Sequence, residues 1–286
     1  MVAPPIVFIT GALGGLGQNV VKAFWAAGWS VALSARNVLS LEGFRDNLVK
    51  KNKQTIALFP CDLSKPELVA DLAKQVRFSL PRLDAVVNAA AIHGPIGPFI
   101  SNDLLEWKQA MQVNFFAPLM LCQTFGAWMK EYGNGSIINL SGGGASASRP
   151  NFSAYACSKT ALVRFSETFA AELRGSGVRV NCVAPGAMPT QLLREVLLKN
   201  PMEAGEKEVV AASQIFKQGV SSLTEVSSLI LFLAGSASNG ITGKLISAVW
   251  DNWQEWPLHL PDLDSTDLYT LRRVTARDRG FNWGDR

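Results

Sequence analysis

The sequence predicts an α/β fold of three layers, a doubly wound parallel sheet of about seven strands with helices on both faces. Three observations predict it. Apolar runs of strand length alternate with longer stretches of helical periodicity. The first strand-like run enters a glycine-rich string that opens the first helical stretch. The composition is that of an ordinary globular protein: 286 residues, 48% hydrophobic and 17% charged, with a net charge of +4.

Residues 6–10 (Ile-Val-Phe-Ile-Thr) form the first apolar run, and 15–27 the amphipathic helix behind the glycines. Residues 30–34 and 55–59 are the next two runs, and a helix over 66–79 follows the second of them. A fourth run, 85–88, precedes a long helical pattern over 104–132. Residues 135–140 lead to a helix over 154–175, and 178–183 is the sixth run. A helix over 224–234 and a short run at 245–248 complete the pattern. Repeated strand-then-helix order implies parallel pairing, and ligands of such sheets bind beyond the carboxyl ends of the strands. Two parts break the rhythm. Residues 186–220 are helical in pattern, follow a Pro-Gly and have no strand of their own, which reads as a lid over the sheet edge. The tail 251–286 holds Trp253, Trp256, Tyr269, Phe281 and Trp283, rings that call for packing on the main domain or on a neighbouring subunit.

Several classes of function are disfavoured. The densest basic run, Lys50-Lys51-Asn52-Lys53, reads as a solvated helix end, so no nucleic-acid partner is expected. Cys61, Cys122, Cys157 and Cys182 lie far apart, without a Cys-x-x-Cys pair or a histidine cluster, which points away from disulfide frameworks and metal sites. Reduced thiols fit a cytoplasmic setting. No secretory signal is visible, and the apolar stretch at 6–9 is too short for a membrane span, so no membrane partner is expected.

Three motifs carry chemistry. The string Thr10-Gly11-Ala12-Leu13-Gly14-Gly15-Leu16-Gly17 lies between the first strand and the first helix, where close backbone and helix amides hold a pyrophosphate. The second strand ends Leu33-Ser34-Ala35-Arg36-Asn37, without the carboxylate that would hold a ribose 2′-hydroxyl. Arg36 suits a 2′-phosphate, so NADP is favoured, with NAD possible. In Tyr155-Ala156-Cys157-Ser158-Lys159, a spacing of four puts Tyr155 and Lys159 on one helix face. A free tyrosine has a pKa of about 10, and a nearby ammonium stabilises its phenolate, so the pair could exchange a proton with an alcohol or carbonyl oxygen.

On these motifs the chain resembles the short-chain dehydrogenase/reductase family, over about residues 6–250. The resemblance implies a Rossmann fold in which residues 1–250 form one dinucleotide-binding and catalytic domain. It implies that Gly11, Leu13, Gly14, Gly15, Leu16 and Gly17 cradle the cofactor, and that Asp62-Leu63 contacts the adenine. Asn88-Ala89-Ala90-Ala91 stands where the family has Asn-Asn-Ala-Gly. Asn114 matches the tetrad asparagine of a water-linked proton path. Tyr155 matches the acid/base, and Lys159 the lysine that also binds the nicotinamide ribose. Pro185-Gly186, Met188 and Thr190 match the segment that holds the nicotinamide carboxamide.

One position departs from the family. Its catalytic serine stands thirteen residues before the tyrosine, and here that position is Gly142, while Pro150 keeps its usual place. Ser141 is the adjacent hydroxyl, although alternation along an extended segment points it elsewhere. Ser146, Ser148, a water or a substrate hydroxyl are other replacements, and losing one such donor costs about a hundredfold or more in rate. His93 and Arg149 lie near the expected substrate entrance.

The reading is an oxidoreductase that interconverts a ketone or aldehyde and an alcohol by hydride transfer to or from a small-molecule substrate. The alternative, motivated by Gly142, is a cofactor-binding sensor or scaffold with little catalysis. A nucleotide-sugar epimerase or dehydratase shares the Tyr/Lys chemistry but is usually longer, with different glycine spacing. The segment from Gly240 to Asp251 and the tail 268–273 resemble reductases of bacterial surface-sugar pathways, which suggests a sugar-like substrate. The resemblance also implies a homodimer or homotetramer built on the helices near 104–132 and 154–175.

Overall fold

The computed structural model describes residues 3–48, 53–218 and 223–283; Lys50, Lys51 and Asn52 of the basic run, residues 219–220 of the expected lid and the last three of the tail lie outside them. The strands are β1 (Ile6–Thr10), β2 (Ser30–Ala35), β3 (Ile56–Pro60), β4 (Ala85–Asn88), β5 (Gly135–Leu140), β6 (Val178–Ala184) and β7 (Leu245–Ser247). They form one parallel sheet in the order β3-β2-β1-β4-β5-β6-β7.

The helices are α1 (Gly15–Ala26), α2 (Val38–Asp46), α3 (Pro66–Ser79), α4 (Leu104–Met111), α5 (Ala117–Tyr132), α6 (Ser153–Glu172), α7 (Gln191–Leu197), α8 (Pro201–Ala204), α9 (Glu206–Gln218), α10 (Leu223–Ala234) and α11 (Leu260–Ser265). Every residue of β1 is buried, as a central strand covered on both sides requires. Its side chains alternate between two cores. Val7 and Ile9 pack with Val20, Phe24, Leu229 and Ile230 of α1 and α10. Ile6 and Phe8 pack with Val69, Leu72, Leu121 and Phe125 of α3 and α5. Strand order reverses between β1 and β4, which opens a crevice beyond their carboxyl ends.

Three elements differ from the sequence expectation. Helix α2 was not expected, because among its side chains only Leu41 is buried and no apolar stripe marks it. Its start is held instead by Asn37, whose Oδ1 accepts from the Ser40 amide at 2.9 Å. The helix expected over 104–132 is divided by a π-helical turn, Gln112–Phe116, that surrounds Asn114. Such a turn inserts a residue into the helical ladder and often marks a functional position. The segment after β6 forms three separate helices, α7 to α9.

The tail lies along the exposed edge of the sheet. The Leu245 amide of β7 donates to the Tyr269 carbonyl at 2.8 Å, and the Leu271 amide donates to Glu167 of α6 at 2.6 Å. Lys244 Nζ donates to the Leu268 carbonyl at 2.9 Å. Trp253 and Trp256 join the α1/α10 core, whereas Phe281 and Trp283 stay exposed with their rings 6.3 Å apart. An edge strand covered by the chain's own tail is protected from pairing with other chains.

Candidate active site

The crevice between β1 and β4 is shaped by missing side chains. Gly11 has φ +64, and a Cβ there would lie 2.7 Å from Ala90 Cα; one at Gly17 would lie 2.1 Å from the Gly11 carbonyl oxygen. Both contacts are impossible, so the loop packs this closely only with glycine. Gly14 and Gly15 are exposed at the start of α1, while Leu13 and Leu16 are half-buried. No side chain caps that helix, and its first turn has no acidic residue. The unpaired amides and positive helix end therefore suit a pyrophosphate, and the cradle fits a dinucleotide.

Other sequence-expected residues gather around this cradle. The Ala89 and Ala90 amides donate to Thr10 Oγ1 at 3.1 and 3.3 Å, which holds β4 against the glycine loop. Arg36 is exposed at the end of β2. Burial opposes ionisation of Asp62, but hydrogen bonds from Ser64 and the charge of Arg36 outweigh it and hold the carboxyl below its usual value. The Leu63 carbonyl accepts from Gln112 at 3.2 Å. Asn88 points its amide into the sheet layer, its Nδ2 donating to Asn139 Oδ1 at 2.8 Å while its Oδ1 is buried without a hydrogen-bond partner. Beyond β6, Pro185 and Gly186 lead to Met188, which is buried, and to Thr190, whose methyl lies 3.2 Å from where a Gly15 Cβ would stand.

Tyr155 and Lys159 sit near the start of α6, both buried. Lys159 Nζ donates to the Leu140 carbonyl at 2.7 Å and lies 5.7 Å from the Tyr155 ring centre. Asn114 is fully buried and ties three elements together. Its Oδ1 accepts from the Ile92 amide at 2.9 Å, and its Nδ2 donates to the Ile92 carbonyl at 2.8 Å and to Ser158 Oγ at 3.0 Å. Ser158 Oγ in turn donates to the Tyr155 carbonyl at 2.7 Å. Ser158 thus links the asparagine to the tyrosine backbone, a role that its place inside the Tyr-x-x-x-Lys motif did not signal.

Ser141, expected among the catalytic residues, is not part of this group. Its amide continues the ladder to the Val183 carbonyl at 2.8 Å. The next position, Gly142, is the one that faces Tyr155, and consecutive residues of an extended chain point to opposite sides. Ser141 Oγ is buried without a hydrogen-bond partner. Ser146 and Ser148 are exposed.

Helices α7 to α9 pack over the tyrosine. His93 Nδ1 lies 3.1 Å from Glu195 Oε2 of α7, and the His93 ring meets the Tyr155 ring edge-on at 5.0 Å. Arg149 binds Glu208 of α9 through two hydrogen bonds of 3.1 and 2.7 Å, with its guanidinium 3.9 Å from the centre of the Phe152 ring. Ile96, Phe152, Val196, Ala204 and Ala212 form a small apolar core with Tyr155. The sequence marked His93 and Arg149 but not their lid partners, since carboxylates on an amphipathic helix ordinarily face solvent.

Electrostatics here differ from the sequence expectation. Burial raises the Tyr155 hydroxyl above the ordinary tyrosine value, and the charge of Arg149 opposes this only in part. Burial lowers Lys159 to about 8. The expected easing of the phenolate by the ammonium is overcome because the lysine faces a carbonyl and water is excluded from both groups. In this closed arrangement Tyr155 keeps its proton.

Comparison with known proteins identifies the assembly. A family model for short chain dehydrogenases matches residues 5–201. The chain belongs to the short chain dehydrogenase family. A fatty acyl-CoA reductase of Acinetobacter baylyi is 29% identical over 246 residues, covering 82% of this chain and 81% of that protein. The 7alpha-hydroxysteroid dehydrogenase of Escherichia coli is 27% identical over 247 residues, covering 86% and 93%. A short chain dehydrogenase from Shigella flexneri, solved with NADP, is 26% identical at a TM-score of 0.74, covering 86% of this chain and 98% of that one. An NAD+-bound xylitol dehydrogenase shares the fold at a TM-score of 0.76 and 23% identity, covering 86% and 97%. This dehydrogenase therefore has the Rossmann fold of its family. It is an oxidoreductase that interconverts a carbonyl and an alcohol with a nicotinamide cofactor.

Proposed function

We propose that this dehydrogenase uses NADP(H) on an uncharged, largely apolar ketone or aldehyde, with the Tyr155 hydroxyl exchanging the proton. The observation that carries the reading is the convergence of Tyr155, Lys159 and Asn114 beside a glycine cradle, beneath a lid lined by apolar side chains. Bound in the cradle, the nicotinamide cofactor supplies or accepts the hydride. Gly11, Leu13 to Gly17, Ala89 and Ala90 would line its phosphates and ribose, and Asp62 and Leu63 its adenine. Asn88 would contribute backbone, while Pro185, Gly186, Met188 and Thr190 flank the nicotinamide. Arg36, exposed where a 2′-phosphate would lie, supports NADP over NAD.

In reduction, the protonated Tyr155 hydroxyl gives its proton to the carbonyl oxygen. Lys159 stands beside it, able to restore that proton, and Asn114 holds the Ile92 backbone and Ser158 in place. The substrate reading follows from the walls. Arg149 and His93, whose side chains flank Tyr155, already face Glu208 and Glu195, and their neighbours are apolar. Such walls suit a hydrocarbon-rich carbonyl better than the sugar-like substrate suggested by the chain's ending, because buried polar groups need partners. Residues 186–220 serve as the substrate lid, with His93 and Arg149 as its anchors at the substrate entrance.

We place the protein in the cytoplasm, on the evidence of four free cysteines. Among the described residues no helix is long and apolar enough to cross a membrane. A homodimer or homotetramer is supported by aromatic rings on α6 and on the turn before α5, where Phe116 is 45% exposed and Phe115, Phe165 and Phe169 are half-buried. The test is Tyr155→Phe assayed with NADPH and NADH against panels of apolar ketones, aldehydes and sugars. The wild type should consume NADPH with the apolar carbonyls, and the variant should bind NADPH normally yet lose roughly a hundredfold or more in turnover. Full activity in the variant would overturn the role of Tyr155, and turnover confined to sugars would overturn the substrate reading.

A further inference from the structure

Gly142 stands where the family carries a catalytic serine, and the structure shows what fills that space. A Cβ built at position 142 would lie 2.3 Å from the Tyr155 hydroxyl and 2.9 Å from two carbons of its ring. Non-bonded heavy atoms do not approach so closely, so a side chain at 142 would have to push the ring aside. The ring belongs to a buried side chain, held edge-on by His93 at 5.0 Å and packed with Phe152 and Ile96. Backbone conformation does not call for glycine at 142. Its φ lies outside the left-handed region, unlike that of Gly144 at +93. Glycine at 142 is therefore a matter of volume, and the occupant of that volume is the Tyr155 hydroxyl.

We propose that Gly142 is a positioning residue for Tyr155: its missing side chain lets the tyrosine hydroxyl settle into the space of the family's serine. One hydroxyl then takes both the donor's place and the acid's role. The absence of serine is compensated within the tyrosine itself, and Ser141, Ser146 and Ser148 are not needed as substitutes. This rests on the reading of Tyr155 as the proton-exchanging group. It has a consequence opposite to that of a simple missing donor: restoring the family's residue harms the site rather than repairing it.

The test compares Gly142→Ser and Gly142→Ala with wild type in two readouts. The first is turnover and its pH profile. Both variants should lose about tenfold or more in kcat, since a displacement of about 1 Å at the reacting group is costly. Serine should do no better than alanine, the limb of the pH profile governed by Tyr155 should move, and NADPH affinity should stay near wild type. The second readout is the melting temperature in a double-mutant cycle with Tyr155→Ala. Gly142→Ser should lower it by several degrees in the wild type and by little once the ring is gone. Failure of Gly142→Ser to fold, with folding restored by adding Tyr155→Ala, supports the proposal equally. It is overturned if Gly142→Ser matches or exceeds wild-type turnover, or if the serine costs the same stability in both backgrounds. An active Tyr155→Phe would defeat the functional reading instead, and the melting cycle would still report on Gly142.

Discussion

Tyr155 and Lys159 are pushed by burial in opposite directions, the phenol up and the ammonium down to about 8, and in each case burial favours the neutral form. This has a thermodynamic signature. An unfolded lysine holds its proton to a pKa of about 10.4, whereas Lys159 in the fold releases it at about 8. Between those values the unfolded chain binds more protons, so this group makes stability rise with pH, up to about 3 kcal/mol. Cys61, at about 11, and Cys122 and Cys182, at about 12, act oppositely, because the fold keeps thiols protonated that the unfolded chain ionises. Lys159 is therefore isolated by difference. The stability of wild type relative to Lys159→Met should grow between pH 8 and 10 in urea titrations (about 8 to 10, from the shifts above). A difference that stays flat across that window would show that Lys159 is not depressed. The Tyr155–Lys159 pairing was legible in the sequence because a spacing of four is a local property of helices. The orientation of Lys159 toward Leu140 was not, since it depends on where β5 ends against α6.

At the scale of elements, helices α7 and α9, the proposed lid, are fastened by side chains far apart in the chain. Glu208 of α9 grips Arg149 with paired hydrogen bonds, and the pair is mostly shielded, at 16% and 34% side-chain exposure. Glu195 of α7 meets His93, which is 5% exposed. Removing the stronger pair should loosen the lid selectively. Glu208→Gln keeps the shape of the side chain but loses its charge, and at about 1 kcal/mol for such a pair the lid should open roughly fivefold more often. Hydrogen exchange across α7 and α9 should accelerate accordingly, while amides of β1 and β5 stay protected. Unchanged exchange in the lid would mean that packing of Val196, Ala204 and Ala212 alone keeps it shut. The seven strands were legible because each is a short apolar run between polar turns, while α2, with Leu41 as its sole buried side chain, lacks the stripe that would mark it. The π-helical turn around Asn114 was hidden for another reason: residues 104–132 keep helical periodicity on both sides of it, and a π turn is a matter of backbone hydrogen bonding that side-chain pattern does not mark.

The whole molecule sets the crevice, the glycine loop and the Tyr155–Lys159 pair at the carboxyl ends of a sheet whose two faces are sealed by separate cores. The tail covers β7, its Tyr269 carbonyl accepting from the Leu245 amide and its Leu271 amide donating to Glu167 of α6. That arrangement was only partly readable beforehand. The glycine string and the parallel sheet follow from local pattern, but the strand order and the meeting of Glu195 and Glu208 with His93 and Arg149 follow from three-dimensional packing. The central claim is that a carbonyl substrate is held against Tyr155 beside a cofactor in the glycine cradle. A crystal structure with NADP and an unreactive analogue of the preferred ketone tests it most directly. The account predicts the analogue's oxygen within about 3 Å of the Tyr155 hydroxyl, the phosphates at the start of α1, and no other hydroxyl from residues 141 to 148 on that oxygen. An analogue bound away from Tyr155, or held by Ser141, Ser146 or Ser148 instead, would contradict it.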